Sequence, residues 1–469
     1  MSPSDYGAYM ALLGFIETMV PLTSFGLFEV IRRYLPELAE KGSKKELSSF
    51  YVKIIITRTF VLSILGVIIY IAWFQICDWL NYTLEHRRLY VFAIAYILIT
   101  LMFRFIVETL ECLMEQKYSQ IIRILFPLGQ LACLVAIYII SDSLTFSDAV
   151  KISLLIVSLC LILSLIYTKK QISKQDQIGN VNINYSEVKM FAWHISGANI
   201  LQTFASFGLM RLIVSNQLGL EVAGVFGFLQ QLSNIVSRYL PSNFLINVIR
   251  PMLVSRYTIN RDLNLLNHGV NIMWKSNIII VSVYLLITYI IGDQIIRTLS
   301  DGQISGAGQI LTLMFFLLFT TSQRQLIEMS LQILGRTKEI RSLSFLLLLM
   351  PVFVWIGTGY DLIGVVLSMV AFSWLWNVIM LNKITKWDEC IELDWNSLIR
   401  IVVGVASIFI IISLTEQYVN SIILVILVLC LYLILIITSK PINRDEYVLL
   451  EKILGSKKIN YIKSLVKFS

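Results

Sequence analysis

Apolar stretches of about 17–25 residues recur almost end to end along this chain, separated by short polar segments. A helix needs about 20 predominantly apolar residues to cross a bilayer. The pattern therefore predicts thirteen spans, over 8–30, 51–74, 89–112, 122–140, 150–167, 190–214, 222–246, 270–291, 309–332, 342–356, 362–381, 398–414 and 420–438. The fold class it implies is an all-α integral membrane protein. The segment 342–356 is short for a span and contains Pro351.

The polar segments are not alike. Loops 31–50, 114–123, 168–189, 250–268, 335–341, 382–397 and the tail 439–469 hold 26 of the 38 Lys and Arg residues. The alternate set, 1–7, 75–88, 141–149, 215–221, 292–308, 357–361 and 415–419, holds 3. Basic residues collect on the cytoplasmic side of a membrane protein, so the C-terminus is expected inside and the N-terminus outside. No outer loop exceeds 17 residues, which leaves no room for an extramembrane catalytic domain. A transporter is expected rather than an enzyme.

Composition changes this picture little. The 469 residues are 57% hydrophobic and 14% charged, against roughly a quarter charged in soluble domains. The net charge of +8 is spread over loops and tail, which suits anionic lipid rather than nucleic acid. The six cysteines form no CxxC spacing and the three histidines are far apart, so no metal site is expected. No cofactor is implied, apart from H+ or Na+ as a coupling ion.

A weak internal repeat runs through the chain. Tyr6-Gly7-Ala8-Tyr9 matches Ala223-Gly224-Val225-Phe226, Glu17 matches Asn234, Arg33 matches Arg250, and Arg58 matches Lys275, all at an offset of 217. Arg104 and Glu108 match Arg324 and Glu328 at an offset of 220. Transporters are often built from such duplications, with the substrate path at the repeat interface. Both copies begin on the same side, so the repeats are parallel. The division expected is an N-terminal lobe at 1–167, a cytoplasmic linker at 168–189, a C-terminal lobe at 190–383, an extra helix pair at 398–438 and a basic tail at 439–469. The second copy has a span, 190–214, before the matched residues, and the first copy has no counterpart. One N-terminal helix is therefore expected to be absent from this chain. The tail alternates apolar residues with Lys452, Lys457, Lys458, Lys463 and Lys467, which suits an inner-leaflet surface.

Ser2-Pro3-Ser4-Asp5-Tyr6-Gly7-Ala8-Tyr9, with Phe25-Gly26-Leu27 and Arg32-Arg33-Tyr34-Leu35-Pro36-Glu37, resembles the second helix of the Wzx-type O-antigen and capsule repeat-unit flippases. Leu218-Gly219-Leu220-Glu221-Val222-Ala223-Gly224-Val225-Phe226 resembles the link between that family's seventh and eighth helices. The family belongs to the multidrug/oligosaccharidyl-lipid/polysaccharide exporter superfamily. The resemblance implies two six-helix lobes plus two C-terminal helices in a bacterial plasma membrane. It implies transport of undecaprenyl-diphosphate-linked glycans to the outer leaflet, with polysaccharide polymerase machinery as a further partner. A cation-coupled drug exporter of the same superfamily and an inactive truncated remnant are the alternatives, with a membrane polysaccharide polymerase behind them.

Ionisable groups inside spans are expensive and by default functional. Arg58 and Lys275 read either as paired cavity cations that clamp a diphosphate or as residues paired with carboxylates. Arg238, three residues before Pro241, has no carboxylate one helical turn away and is the strongest candidate for a cavity cation. Arg211 is a further one, near the outer end of its span. Asn199, Gln202 and Ser206 share a helix face, as glycan-facing donors or as interhelical glue. Arg104/Glu108 and Arg324/Glu328 read as i,i+4 structural pairs, or as coupling and gating groups. Glu17, without a basic partner in its own span, is either a coupling carboxylate or bonded to a neighbouring helix. Arg33 and Arg250 mark the inner ends of their spans and are candidate gate residues. Pro21, Pro127, Pro241 and Pro351 are expected to kink their helices.

Overall fold

The computed structural model describes residues 1–113, 116–141, 143–174, 185–240, 263–334, 342–384, 393–415, 419–448 and 466–467. These residues are almost wholly helical, apart from a two-residue parallel pairing of Ile442–Asn443 with Val466–Lys467. The helices are α1 (Pro3–Leu22), α2 (Leu27–Lys41), α3 (Lys44–Trp79), α4 (Leu84–Arg88), α5 (Tyr90–Cys112), α6 (Gln116–Ser141), α7 (Phe146–Lys174), α8 (Tyr185–Thr203), α9 (Phe207–Leu218) and α10 (Leu220–Arg238). They continue as α11 (Leu263–Leu299), α12 (Gly308–Ile333), α13 (Met350–Gly357), α14 (Asp361–Ile384), α15 (Trp395–Thr415) and α16 (Ser421–Ser439).

Among the described residues, nine helical segments are long and apolar enough to span a membrane, and two bent pairs, α1–α2 and α8–α9, bring the number to eleven. The expected spans 342–356 and 362–381 fall inside one candidate segment, Ser342–Lys383. The expected span 222–246 begins as α10, and its last six residues lie outside the described ones. The all-α membrane class read from the apolar pattern is the class observed.

The bend between α1 and α2 is 59°. Pro21 lies inside the last turn of α1, and the break comes after it, at 23–26. There Phe25 and Gly26 take φ values of 45° and 74°. That left-handed pair turns the chain, and glycine supplies it without a Cβ clash. A second bend, of 42°, separates α8 from α9, where Ser206 caps α9 by accepting from the Leu209 backbone amide at 3.3 Å. Pro127 lies within the unbroken α6. Pro351 is the second residue of α13, after a 3-10 turn at Phe345–Leu349, where a proline lacks no intrahelical partner. Pro241 lies outside the described residues.

The long helices carry their own boundary signals. A capping box opens α3: Glu46 N donates to Ser43 Oγ at 3.3 Å, and Ser43 N donates back to Glu46 Oε2 at 2.9 Å. Its 36 residues make a rod of about 54 Å, well beyond a hydrocarbon core of about 30 Å. Phe60, Val67 and Phe74 recur every seventh residue on its exposed apolar face, which suits lipid.

The contacts group into two compact units, residues 1–227 with 347–355, and residues 228–346 with 356–469. In the first, α5 is central and packs on α7, α6, α3 and α2, while α1 packs on α9 and α8. Its core contains Tyr96, Leu101, Phe105 and Phe146. In the second, α11 packs on α12, α12 on α14, and α15 and α16 on α11.

Candidate functional site

In the first unit a cavity of about 430 Å³ lies among α1, α2, α5, α6 and α8. Its wall includes Val20, Pro21, Phe28, Phe103 and Val107 as apolar members and Arg32, Arg104, Arg123, Glu29, Glu108 and Asn199 as polar ones. The close seating of α1 comes from small residues. A Cβ on Gly7 would stand 1.7 Å from the Leu220 carbonyl oxygen, and one on Gly14 would stand 2.8 Å from that of Gly208. Helix backbones approach this closely only through glycine.

The cavity's charges are arranged unequally. Arg32 binds Glu108 at 2.7 Å and Glu29 at 2.8 Å. Arg123 binds Glu111 at 2.9 Å and reaches Glu108 at 3.6 Å. The expected Arg104–Glu108 pair does not form, because Arg32 and Arg123 approach Glu108 from other helices. Arg104 is exposed to the cavity and makes no ion pair or hydrogen bond among the described residues. The wall holds three guanidinium groups and two carboxylates, a third carboxylate, Glu111, lies on Arg123, and Arg104 is the member without an ion pair among the described residues.

Two expected cavity cations are placed elsewhere. Arg58 is fully buried in α3. Its Nη1 donates to the Thr23 carbonyl oxygen and, at 3.2 Å, to Thr23 Oγ1, while Nη2 donates to the Leu101 carbonyl oxygen at 3.4 Å. Phe28 and Phe105 present rings 5.8 and 5.6 Å from its guanidinium carbon. Arg58 thus stitches the α1–α2 break to α5. Lys275, in the second unit, is 1% exposed. Its Nζ donates to Asp394 Oδ2 at 2.7 Å and to the two oxygens of Glu446 at 2.8 and 2.9 Å, so all three ammonium protons are engaged. Burial acts to raise the Asp394 carboxyl, yet the bonds from Lys275 and Ser397 prevail and hold it at about 2. The same Asp394 caps α15, accepting from Ser397 N at 3.2 Å and Ser397 Oγ at 2.7 Å.

The other expected residues are distributed as follows. Glu17 pairs across helices with the fully buried Arg211, at 3.0 Å. Asn199 lines the cavity, whereas Gln202 is exposed and not part of that wall. Arg324 pairs with Glu328 at 2.9 Å, as the i,i+4 spacing predicts, and its guanidinium lies 4.6 Å from the Trp376 ring. Arg33 stacks on Phe191 at 4.6 Å and Tyr34 at 5.3 Å. Arg238 is exposed at the last position of α10, and the expected span continues into residues outside the described ones. Arg250 lies outside the described residues. The reading of the chain missed Arg32, Arg123 and Glu29 as cavity members, because basic residues near loops count first as topology markers.

No family model matches the chain, and no curated protein matches it in sequence. Solved structures do match in fold. One is a multidrug resistance MATE family transporter of the MOP superfamily in an inward-facing conformation, at TM-score 0.65 and 12% identity, covering 82% of this chain and 91% of that one. Another is the lipid II flippase MurJ in an inward closed conformation, at TM-score 0.66 and 14% identity, covering 93% of this chain and 92% of that one. A MATE structure in a bent conformation matches at TM-score 0.51 and 12% identity, with 82% and 88% covered. The chain shares the fold of these transporters.

Proposed function

We propose that the chain is a transporter of the multidrug/oligosaccharidyl-lipid/polysaccharide type. It moves a polyprenyl-diphosphate-linked oligosaccharide repeat unit across a bacterial plasma membrane by alternating access. The observation that carries this reading is Arg104, a guanidinium facing a 430 Å³ cavity with no carboxylate of its own. A guanidinium fork matches phosphate oxygens and is costly to hold in a membrane without a ligand. Arg32 and Arg123 are close enough in the same wall to share the charge of a diphosphate, each exchanging a carboxylate contact for a phosphate contact. Asn199 supplies an uncharged hydrogen-bonding group for the first sugar. The likeness to a lipid II flippase agrees with a lipid-linked substrate. Drug export remains compatible with the fold, but Glu29 and Glu108 are both bound by Arg32, which leaves a cationic drug without a free anionic partner there.

The test is complementation of a strain that lacks its repeat-unit flippase, with the chain's native glycan locus supplied. Arg104→Gln is expected to lower surface glycan at least tenfold at unchanged membrane protein level, with Arg104→Lys retaining part of the activity. Unchanged glycan display in Arg104→Gln would reject the cavity as the diphosphate site. Failure of the parent chain with its own glycan would reject the substrate class.

A further inference from the structure

The second unit contains a separate pocket of about 310 Å³ among α11, α12, α14 and α15. Among the described residues its wall is uncharged. Three indoles, Trp274, Trp374 and Trp395, line it together with the aliphatic Ile399, Val402 and Val403. Trp374 and Trp395 are 59% and 50% exposed, as are the outer aliphatic residues to a similar degree, so the pocket opens on the apolar outer face of the helices.

The inner end of the pocket is different. Gln323 is 3% exposed, and among the described residues neither its amide nitrogen nor its amide oxygen has a partner. Trp274, 7% exposed, has an indole N–H that is likewise unpartnered among them. Asn377, 6% exposed, donates to the Thr320 carbonyl oxygen at 2.8 Å but leaves its own amide oxygen without a donor. Leaving a buried polar group unsatisfied is destabilising, and three such residues here line one pocket. Two directed donors, the Gln323 amide and the Trp274 indole, call for carbonyl oxygens. Among the described residues the wall offers no cation to a diphosphate.

We propose that this pocket binds an ester-linked glycerolipid. One acyl chain lies along Ile399, Val402 and Val403, and the ester carbonyls accept from Gln323 Nε2 and Trp274 Nε1. The depth agrees. Trp395 begins α15, and tryptophan favours the membrane interface. Val403 lies eight residues further on, about 12 Å along the helix axis. The pocket therefore spans the step from headgroup to chain, where ester groups lie. The site is independent of the diphosphate cavity and takes lipid of the surrounding bilayer.

The experiment is competitive lipid retention on the full-length protein in detergent. Equal amounts of a diester and a diether phosphatidylglycerol with matched chains are added, and bound lipid is counted by native mass spectrometry. The diester lipid is expected to be retained about fivefold or more over the diether, which has no carbonyl. Gln323→Leu is expected to bring that ratio close to one without lowering thermal stability, since it removes an unsatisfied buried amide. Val402→Trp, which fills the pocket's mouth, is expected to reduce retention of both lipids. Equal retention of the two lipids by the parent protein, an unchanged ratio in Gln323→Leu, or retention of neither lipid would each overturn the proposal.

Discussion

At the scale of single residues, the charges inside the membrane differ in how completely they are committed. Arg211 has its side chain fully buried, and Glu17, about one-third exposed, lies 3.0 Å away. Removing one partner of such a pair strands the other in low dielectric, whereas removing both does not. Glu17→Gln is therefore expected to lower stability by about 1–3 kcal/mol, and the same change in an Arg211→Met background is expected to cost little. Thermal unfolding of the four proteins in one detergent measures the coupling. A Glu17→Gln variant that keeps its stability but shifts the pH dependence of transport would instead assign Glu17 to ion coupling. Arg104 is the opposite case, committed to nothing among the described residues, and for that reason its loss is expected to appear in transport and not in folding.

At the scale of elements, two devices hold the helices in register. The first is the glycine-lined crossing of α1 with α9 and the start of α10. A Cβ at Gly7 would meet a backbone oxygen at 1.7 Å, which only movement of a whole helix can relieve. Gly7→Ala is expected to destabilise the protein by about 1–3 kcal/mol through overpacking, read as a lowered melting temperature with unchanged helix content. The second is the clasp in which Lys275 of α11 gathers Asp394, at the head of α15, and Glu446, beyond the end of α16. Asn443 Nδ2 also donates to Asp394 Oδ2, at 3.1 Å. The Asp394 carboxyl is held at about 2, below the usual 3.8. A depressed carboxyl contributes stability that is present above its unfolded value and is lost as pH falls through its folded one. The clasp is thus expected to weaken between about pH 4 and pH 2. Asp394→Asn is expected to melt lower at pH 6 and to show a flatter melting profile across that window. Equal acid dependence in the two proteins would remove Asp394 from the account.

At the scale of the whole molecule, the split of basic residues between alternate loops sets an expected orientation, with the basic loops inside. Ser143 and Ser173 are both exposed, at the two ends of α7. In a cysteine-depleted background, Ser143→Cys is expected to react with an impermeant maleimide on intact cells, and Ser173→Cys only after permeabilisation. The reverse pattern would invert the topology and put the basic loops outside.

How much of this was legible in the amino-acid order depended on whether the physics is local. Moving a segment from water into hydrocarbon is nearly additive over its residues, so apolar runs alone specified the class and the position of most candidate spans, and loop charge the expected sidedness. The i,i+4 pair of Arg324 and Glu328 was legible for the same reason, since both residues lie on one helix. Partners across helices were not. Arg104 and Glu108 have the identical spacing, yet Glu108 is taken by Arg32 and Arg123, brought in by α2 and α6. Lys275 could be read either as a ligand-binding cation or as a partner of carboxylates, because the partners that decide it lie 119 and 171 positions away. Arg58 read the same way because its acceptors are backbone oxygens, one of them at the break that follows α1. A buried charge takes whichever counter-charge lies within about 4 Å, and only tertiary packing decides which that is. The order of residues therefore determined that this chain lives in a membrane and which charges must be reconciled there, and the fold decided which of them meet a partner among the described residues.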